Sequence, residues 1–218
     1  MPLAERGYQI VAVELGPALA DLARRNLARF PRVEVVTGRF EEWPVPAEPF
    51  DVVFSATAFH WLDPAVRVAK AAAALRPGGL LATVATEHVA GGSEAFFVEV
   101  QDCYQQWDPA ALTGLRLLPA TEIPMDDTEL VASGQFGPAR FHRYERDLTY
   151  TTAEYLELLQ TYSGHLALPA PARRGLLDCI GRLIDRHGGR VTKRHLTELR
   201  YAYRLGEPDG CLRAHSKR

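Results

Sequence analysis

The sequence predicts an α/β chain: a doubly wound, mostly parallel sheet that closes with a reversed C-terminal strand. Three observations carry this. Tyr8 to Val13, Val33 to Thr37, Phe50 to Ser55 and Leu80 to Ala85 are apolar on both faces, as parallel strands covered by helices must be. Segments of helical period alternate with them. Near the C-terminus Leu199, Tyr201 and Tyr203 alternate with Arg200, Ala202 and Arg204, the pattern of a strand with unlike faces.

Met1 to Arg6 fit the C-terminal end of a helix, with Gly7 as its left-handed stop. After the first strand, Gly16-Pro17 opens a helix, because proline suits the first turn and lacks a donor that would be orphaned there. Leu19, Leu22, Ala23, Leu27 and Phe30 recur at helical spacing before Pro31. Asp63-Pro64 starts the next helix with an acceptor at the cap, an alanine-rich body runs to Leu75, and Gly78-Gly79 stops it.

Beyond Gly91 a helix is expected from Phe96 to Trp107, after which Pro119, Pro124 and Pro138 interrupt any regular element. Phe141 to Tyr150 reads as an antiparallel strand. Thr151-Thr152-Ala153-Glu154 is a capping box for a helix through Tyr162. A further helix from about Pro171 to His187 carries Leu176, Leu177, Ile180, Leu183 and Ile184 on one stripe and ends at Gly188-Gly189. The expected organisation is a partial cofactor-binding core over 1–90, a lid or insertion over 91–137, and a C-terminal part over 138–206 that completes the sheet.

With 218 residues and 47% apolar content the chain can bury a substantial core. A formal charge of -2 with scattered positive residues gives no footprint for a nucleic-acid backbone. Cys103, Cys179 and Cys211 are odd in number and far apart, so free thiols in a reducing cytosol are expected, with neither a disulfide framework nor a metal site. No apolar run approaches a membrane span and no leader pattern opens the chain, so a cytoplasmic location is expected. His215 to Arg218 reads as a frayed tail.

The strand ending on Glu14, Gly38-Arg39-Phe40 after the second strand, Phe59-His60-Trp61 after the third and Leu75-Arg76-Pro77-Gly78-Gly79 before the fourth, in that order, resemble a class I S-adenosylmethionine-dependent methyltransferase from its second strand onward. The resemblance implies a Rossmann-like fold whose first strand, flanked by strands two and four, and its glycine-rich loop are missing here. Met1 would then sit inside an element. It implies S-adenosyl-L-methionine as cofactor and a small-molecule methyl acceptor, with no nucleic-acid or membrane partner. The alternative is a non-catalytic remnant, or a binding subunit completed by another chain.

Glu14, at the C-terminal end of its strand, is placed to accept hydrogen bonds from both ribose hydroxyls of a nucleoside cofactor. The same position serves dinucleotide-binding dehydrogenases, and a solvated loop carboxylate is the plain reading. Leu15 follows it. Similar enzymes usually carry an aspartate after the glycine where Arg39 stands; guanidinium has donors only, so Glu41 and the Phe40 backbone are the candidates to meet adenine. Ser55 and Ala56 should pass near the sulfonium. His60 is the catalytic candidate, as a base or to orient substrate, or else a histidine packed beside an aromatic, and Trp61 is expected in the core. His88, Tyr162 and His165 are substrate-pocket candidates, with Glu87, Tyr104 and Trp107 on segments that can close over a site. No metal ligands are expected.

Overall fold

The computed structural model describes residues 2–108, 114 and 116–206; Met1, Cys211 and the tail from His215 lie outside them. The elements run α1 (Pro2–Glu5), β1 (Ile10–Glu14), α2 (Pro17–Leu27), β2 (Val33–Thr37), β3 (Phe50–Ala56), a 3-10 turn (Phe59–Trp61), α3 (Arg67–Ala74), β4 (Leu75–Gly92) and α4 (Glu94–Trp107). A second 3-10 turn (Ala120–Glu122), α5 (Thr128–Ala132), β5 (Arg140–Thr151), α6 (Thr152–Leu159), α7 (Ser163–Ala167), α8 (Ala170–Arg186) and β6 (Arg190–Tyr203) follow.

Two compact units result. The first holds the residues up to Val84, Asp126–Arg140 and the segment from Arg200; the second holds Ala85–Met125 and Phe141–Leu199. The segments 91–137 and 138–206 therefore each contribute to both. The strands form a two-stranded sheet, β1-β2, and a four-stranded sheet in the order β3-β4-β6-β5.

In the first unit, β1 pairs in parallel with β2 from Ile10↔Val33 to Glu14↔Thr37, and β3 pairs in parallel with β4 from Val52↔Leu80 to Ala56↔Val84. Gly7 has φ +79° and closes α1 with N–H bonds from Gly7 to Ala4 and from Tyr8 to Leu3, as the sequence requires. The apolar stripe of α2 is shifted from expectation: Ala20 is buried, while Leu19 and Leu22 are exposed. Arg24 ties α2 to the end of β2 through Val35 O (3.0 Å) and Thr37 Oγ1 (2.6 Å).

The third helix begins later than predicted because Asp63 first makes a turn, accepting from Ala65 N–H on Oδ1 and from Val66 and Arg67 N–H on its carbonyl. Nor do Gly78-Gly79 stop that helix. Leu75 already lies in β4, and Gly78 and Gly79 exchange backbone bonds with Arg204, the residue after β6. The core of this unit is Phe59, Val68, Ala71, Ala72, Leu75, Leu81, Leu130, Phe136 and Ala202. Phe59, not Trp61, fills it: Trp61 is 77% exposed, because the short 3-10 turn directs only one of the two rings inward. Val52 and Phe54 are 48% and 52% exposed although β3 reads as apolar on both faces, since only the Val53 face packs on that core.

In the second unit α4, α6 and α8 pack Phe96, Phe97, Val100, Tyr155, Leu159, Leu176, Ile180, Leu183 and Ile184 around Val191 of β6. The capping box of α6 is present, with Thr151 Oγ1 accepting from Glu154 N–H (3.3 Å) and Glu154 Oε2 accepting from Thr151 N–H (2.8 Å). Gly175 lets the Trp107 ring lie against α8, since a Cβ there would be 2.5 Å from it. Cys103 and Cys179 form a disulfide between α4 and α8, which corrects the expectation of free thiols. Both strands at the Gly91–Gly92 end of β4 come very close: a Cβ on Gly92 (φ +67°) would be 2.2 Å from Thr192 O. β4 thus continues well past the expected Ala85, and Glu87 and His88 lie within it rather than in a loop after it.

Candidate functional site

Parallel pairing in the first unit brings the expected cofactor residues to C-terminal strand ends, where open α/β sheets bind ligands. Glu14 ends β1, opposite Thr37 in register, and its carbonyl accepts from Gly38 N–H (2.9 Å), which joins the two loops. Its Oε1 accepts from Gly16 N–H at 2.7 Å, which fixes the carboxylate at the entry to α2. Leu15, beside it, is exposed.

After β2, Arg39 lies 3.8 Å from a Glu41 oxygen and 3.5 Å from Glu42. Glu41 Oε1 accepts from Asp63 N–H at 3.1 Å, and bonds from its own and the Asp63 backbone hold its carboxyl below the ordinary range, helped by Arg39 and Lys70. The half-buried Phe40 stacks on Trp43 with centroids 6.3 Å apart and has Lys70 Nζ 5.9 Å from its ring. Ser55 and Ala56 end β3, and Thr57 follows with φ +49°, a left-handed conformation uncommon for a β-branched residue, held by its N–H to Val84 O at 2.7 Å. His60 is exposed on the 3-10 turn, its ring 4.9 Å from that of Trp61.

The second unit holds a separate set of polar groups. Tyr104 Oη and His165 Nε2 are 3.1 Å apart, and the Tyr162 ring is 5.7 Å from that of His165. Lys193 Nζ donates to Tyr162 Oη at 3.3 Å. His88 and His195, facing each other across β4 and β6, have ring centroids 6.0 Å apart, and His88 packs edge-on against Phe97 at 4.4 Å. Burial, with Lys193 and His195 nearby, pushes His88 down to about 4. Burial likewise lowers His195, His165 and Lys193, and it raises Tyr104 to about 12. His88 Nε2, Trp107 Nε1, His165 Nδ1 and His195 Nε2 are buried without a hydrogen-bond partner.

Three residues flagged from sequence, His88, Tyr162 and His165, thus fall in this one cluster, while Lys193 and His195 did not stand out in the sequence. In a polar-looking run, Val191-Thr192-Lys193-Arg194-His195, alternation with Val191 was the available signal. Among the described residues no group of His, Cys, Asp and Glu is arranged to hold a metal ion, and no helix is long and apolar enough to cross a membrane.

Residues 1–83 match a family model described as a methyltransferase domain. Over 82 residues the chain is 40% identical to uncharacterized methyltransferases of Mycobacterium bovis and Mycobacterium tuberculosis, a stretch that covers 38% of this chain and 32% of theirs. It is 30% identical over 120 residues to the malonyl-[acyl-carrier protein] O-methyltransferase of Serratia marcescens, covering 55% of this chain and 43% of that protein. The chain therefore spans less than half the length of the curated relatives it matches. In fold it is similar to a provisionally assigned methyltransferase of Bacillus halodurans C-125 (TM-score 0.53, 20% identity, 91% of this chain and 84% of that one) and to the YcgJ protein of Bacillus subtilis (0.51, 14%, 90% and 82%). The sequence similarity is thus to methyltransferase domains and lies in residues 1–83, the part that holds the parallel β1-β2 pair and all but the last pairing of β3 with β4.

Proposed function

We propose that this protein transfers a methyl group from S-adenosyl-L-methionine to a small-molecule acceptor. The observation that carries the reading is Glu14, fixed at the C-terminal end of a parallel strand within the segment that matches the methyltransferase domain. Its other carboxylate oxygen is assigned to a ribose hydroxyl, Phe40 offers an apolar wall and a backbone N–H, and since Arg39 supplies no acceptor for the adenine amino group that task falls to Glu41.

Methyl transfer is an in-line displacement at an activated carbon, so positioning and exclusion of water supply most of the acceleration. A base is needed only where the attacking atom loses a proton, and His60 is the candidate. We assign acceptor recognition to the cluster around Lys193, Tyr162 and His165. We propose a cytoplasmic location, where disulfides are rare and the Cys103–Cys179 bond is an exception, which alkylation and mass spectrometry of freshly lysed cells would read.

Calorimetric titration with S-adenosylhomocysteine and with NAD tests the cofactor. Binding of the first alone is expected; binding of NAD alone would replace the proposal with an oxidoreductase. The second reading, a non-catalytic chain or a binding subunit completed by another chain, is favoured by one observation: β1 and β3 are each the terminal strand of a separate sheet, and Val52 and Phe54 are exposed. Binding of neither ligand would favour it.

A further inference from the structure

Lys193 is 6% exposed, and among the described residues its ammonium has one hydrogen-bond partner, the neutral Tyr162 Oη, and no carboxylate. Lysine is almost never fully buried unless paired, because taking its charge out of water without a counter-charge is costly. The polar residues around it are a phenol and two imidazoles, which bring no counter-charge. Tyr162 lies with its ring 5.6 Å from Lys193 Nζ, and His88 and His195 each bring a buried Nε2 without a partner. Buried polar atoms left unpaired call for a specific explanation, and two of them belong to His88 and His195, which both feel the charge of Lys193.

We infer that the second unit contains an anion-binding site centred on Lys193, with Tyr162, His88 and His195 as its other polar members, and that its ligand is the carboxylate of a small organic acid. The inference deepens the proposed function, since it names the acceptor's chemical class, and it rests on the assignment of acceptor recognition to this cluster. A carboxylate suits the site better than a phosphate. Burial holds His88 and His195 neutral, so Lys193 supplies a single positive charge that a monoanion balances, whereas a phosphate dianion would leave one charge buried. The cluster also has no arginine among its polar members, the residue whose planar fork usually meets phosphate. Phe97 and the Tyr162 ring offer apolar surface for the acid's carbon skeleton.

The test uses the full chain and three probes of equal length: hexanoate, the neutral hexanamide and hexyl phosphate, followed by saturation-transfer NMR. Hexanoate is expected to bind, hexanamide not, and hexyl phosphate more weakly than hexanoate. Lys193→Met is expected to weaken hexanoate at least ~10-fold, as the loss of a charge-assisted hydrogen bond does. It should also melt no lower than the wild type, because it removes an unpaired buried charge without changing the volume much. Tyr162→Phe keeps the ring and is expected to weaken hexanoate by a smaller factor. Hexanoate binding unchanged in Lys193→Met, equal or tighter binding of the phosphate, or no carboxylate binding at all would each overturn the site. Titration of the same samples with S-adenosylhomocysteine reports on the cofactor separately, so failure of the anion site and failure of the methyltransferase reading give different results.

Discussion

Glu14, under the proposed function, and His88 illustrate two settings of a single ionisable side chain. At Glu14 one oxygen accepts from Gly16 N–H and, under the proposed function, the other meets the ribose, so Glu14→Gln keeps the shape and the local bond but removes the charge. A charge-assisted hydrogen bond contributes about 1.5–3 kcal/mol, and S-adenosylhomocysteine should bind Glu14→Gln ~10- to 100-fold more weakly by calorimetry, with an unchanged circular dichroism spectrum. At His88 the charge is disfavoured instead. Unfolded, it takes up a proton near pH 6.5; folded, burial delays uptake to about pH 4. Between these values the unfolded chain binds more protons, so stability falls as the pH drops through that window, by about 1–3 kcal/mol once solvent screening is allowed for. His195 and Lys193 act with the same sign in their own ranges. Thermal melts at pH 7.5 and 5 should therefore differ, and less so for His88→Phe, which removes the titrating ring; an equal gap in the two proteins would refute the assignment. Glu14 was legible because strand end and acidic residue are adjacent in sequence. Lys193 was not, since a lysine among polar neighbours reads as solvated until the folded chain buries it against Tyr162, 31 residues away.

At the scale of elements, what is local was readable. The capping box at Thr151 and Glu154 needs four consecutive residues, and β2 begins and ends where its apolar run does. What depends on distant partners was not. β4 runs to Gly92 because β6 continues beside it, and no residue between Thr86 and Gly92 announces that pairing. The disulfide is of the same kind: Cys103 and Cys179 are separated by 76 residues and meet only because α4 packs on α8. Closing so long a loop restricts the unfolded chain, an effect worth about 2–4 kcal/mol in typical cases. Urea unfolding of the oxidised chain should thus show a higher midpoint than the reduced chain. The Cys103→Ala/Cys179→Ala variant should match the reduced protein and be indifferent to reductant; an oxidised midpoint no higher than either would mean that the bond adds nothing to α4 and α8.

At the scale of the whole molecule, β1 and β3 each end a sheet, so both carry a row of backbone donors and acceptors without a strand neighbour among the described residues. On β3 this edge accompanies Val52 and Phe54, which are about half exposed, and Leu15, Leu19 and Leu22 add exposed apolar surface on and before α2. An open strand edge flanked by apolar side chains recruits another strand, and natural proteins usually blunt such edges with charge, above all lysine. Neither strand contains lysine, and the acidic residues on them are Glu14 and Asp51, of which Asp51 is held by Arg76 at 2.6 Å. The chain on its own is therefore expected to self-associate with rising concentration in sedimentation velocity. Val52→Lys/Phe54→Lys leaves Val53 and the core beneath it in place, so it should shift the distribution toward monomer without changing the far-ultraviolet spectrum. Because neither substituted residue is a member of the Lys193 cluster, hexanoate binding should be unaffected in the same variant. A wild-type chain that stays monomeric and melts sharply at high concentration would show that these edges are closed in solution by something other than a second chain.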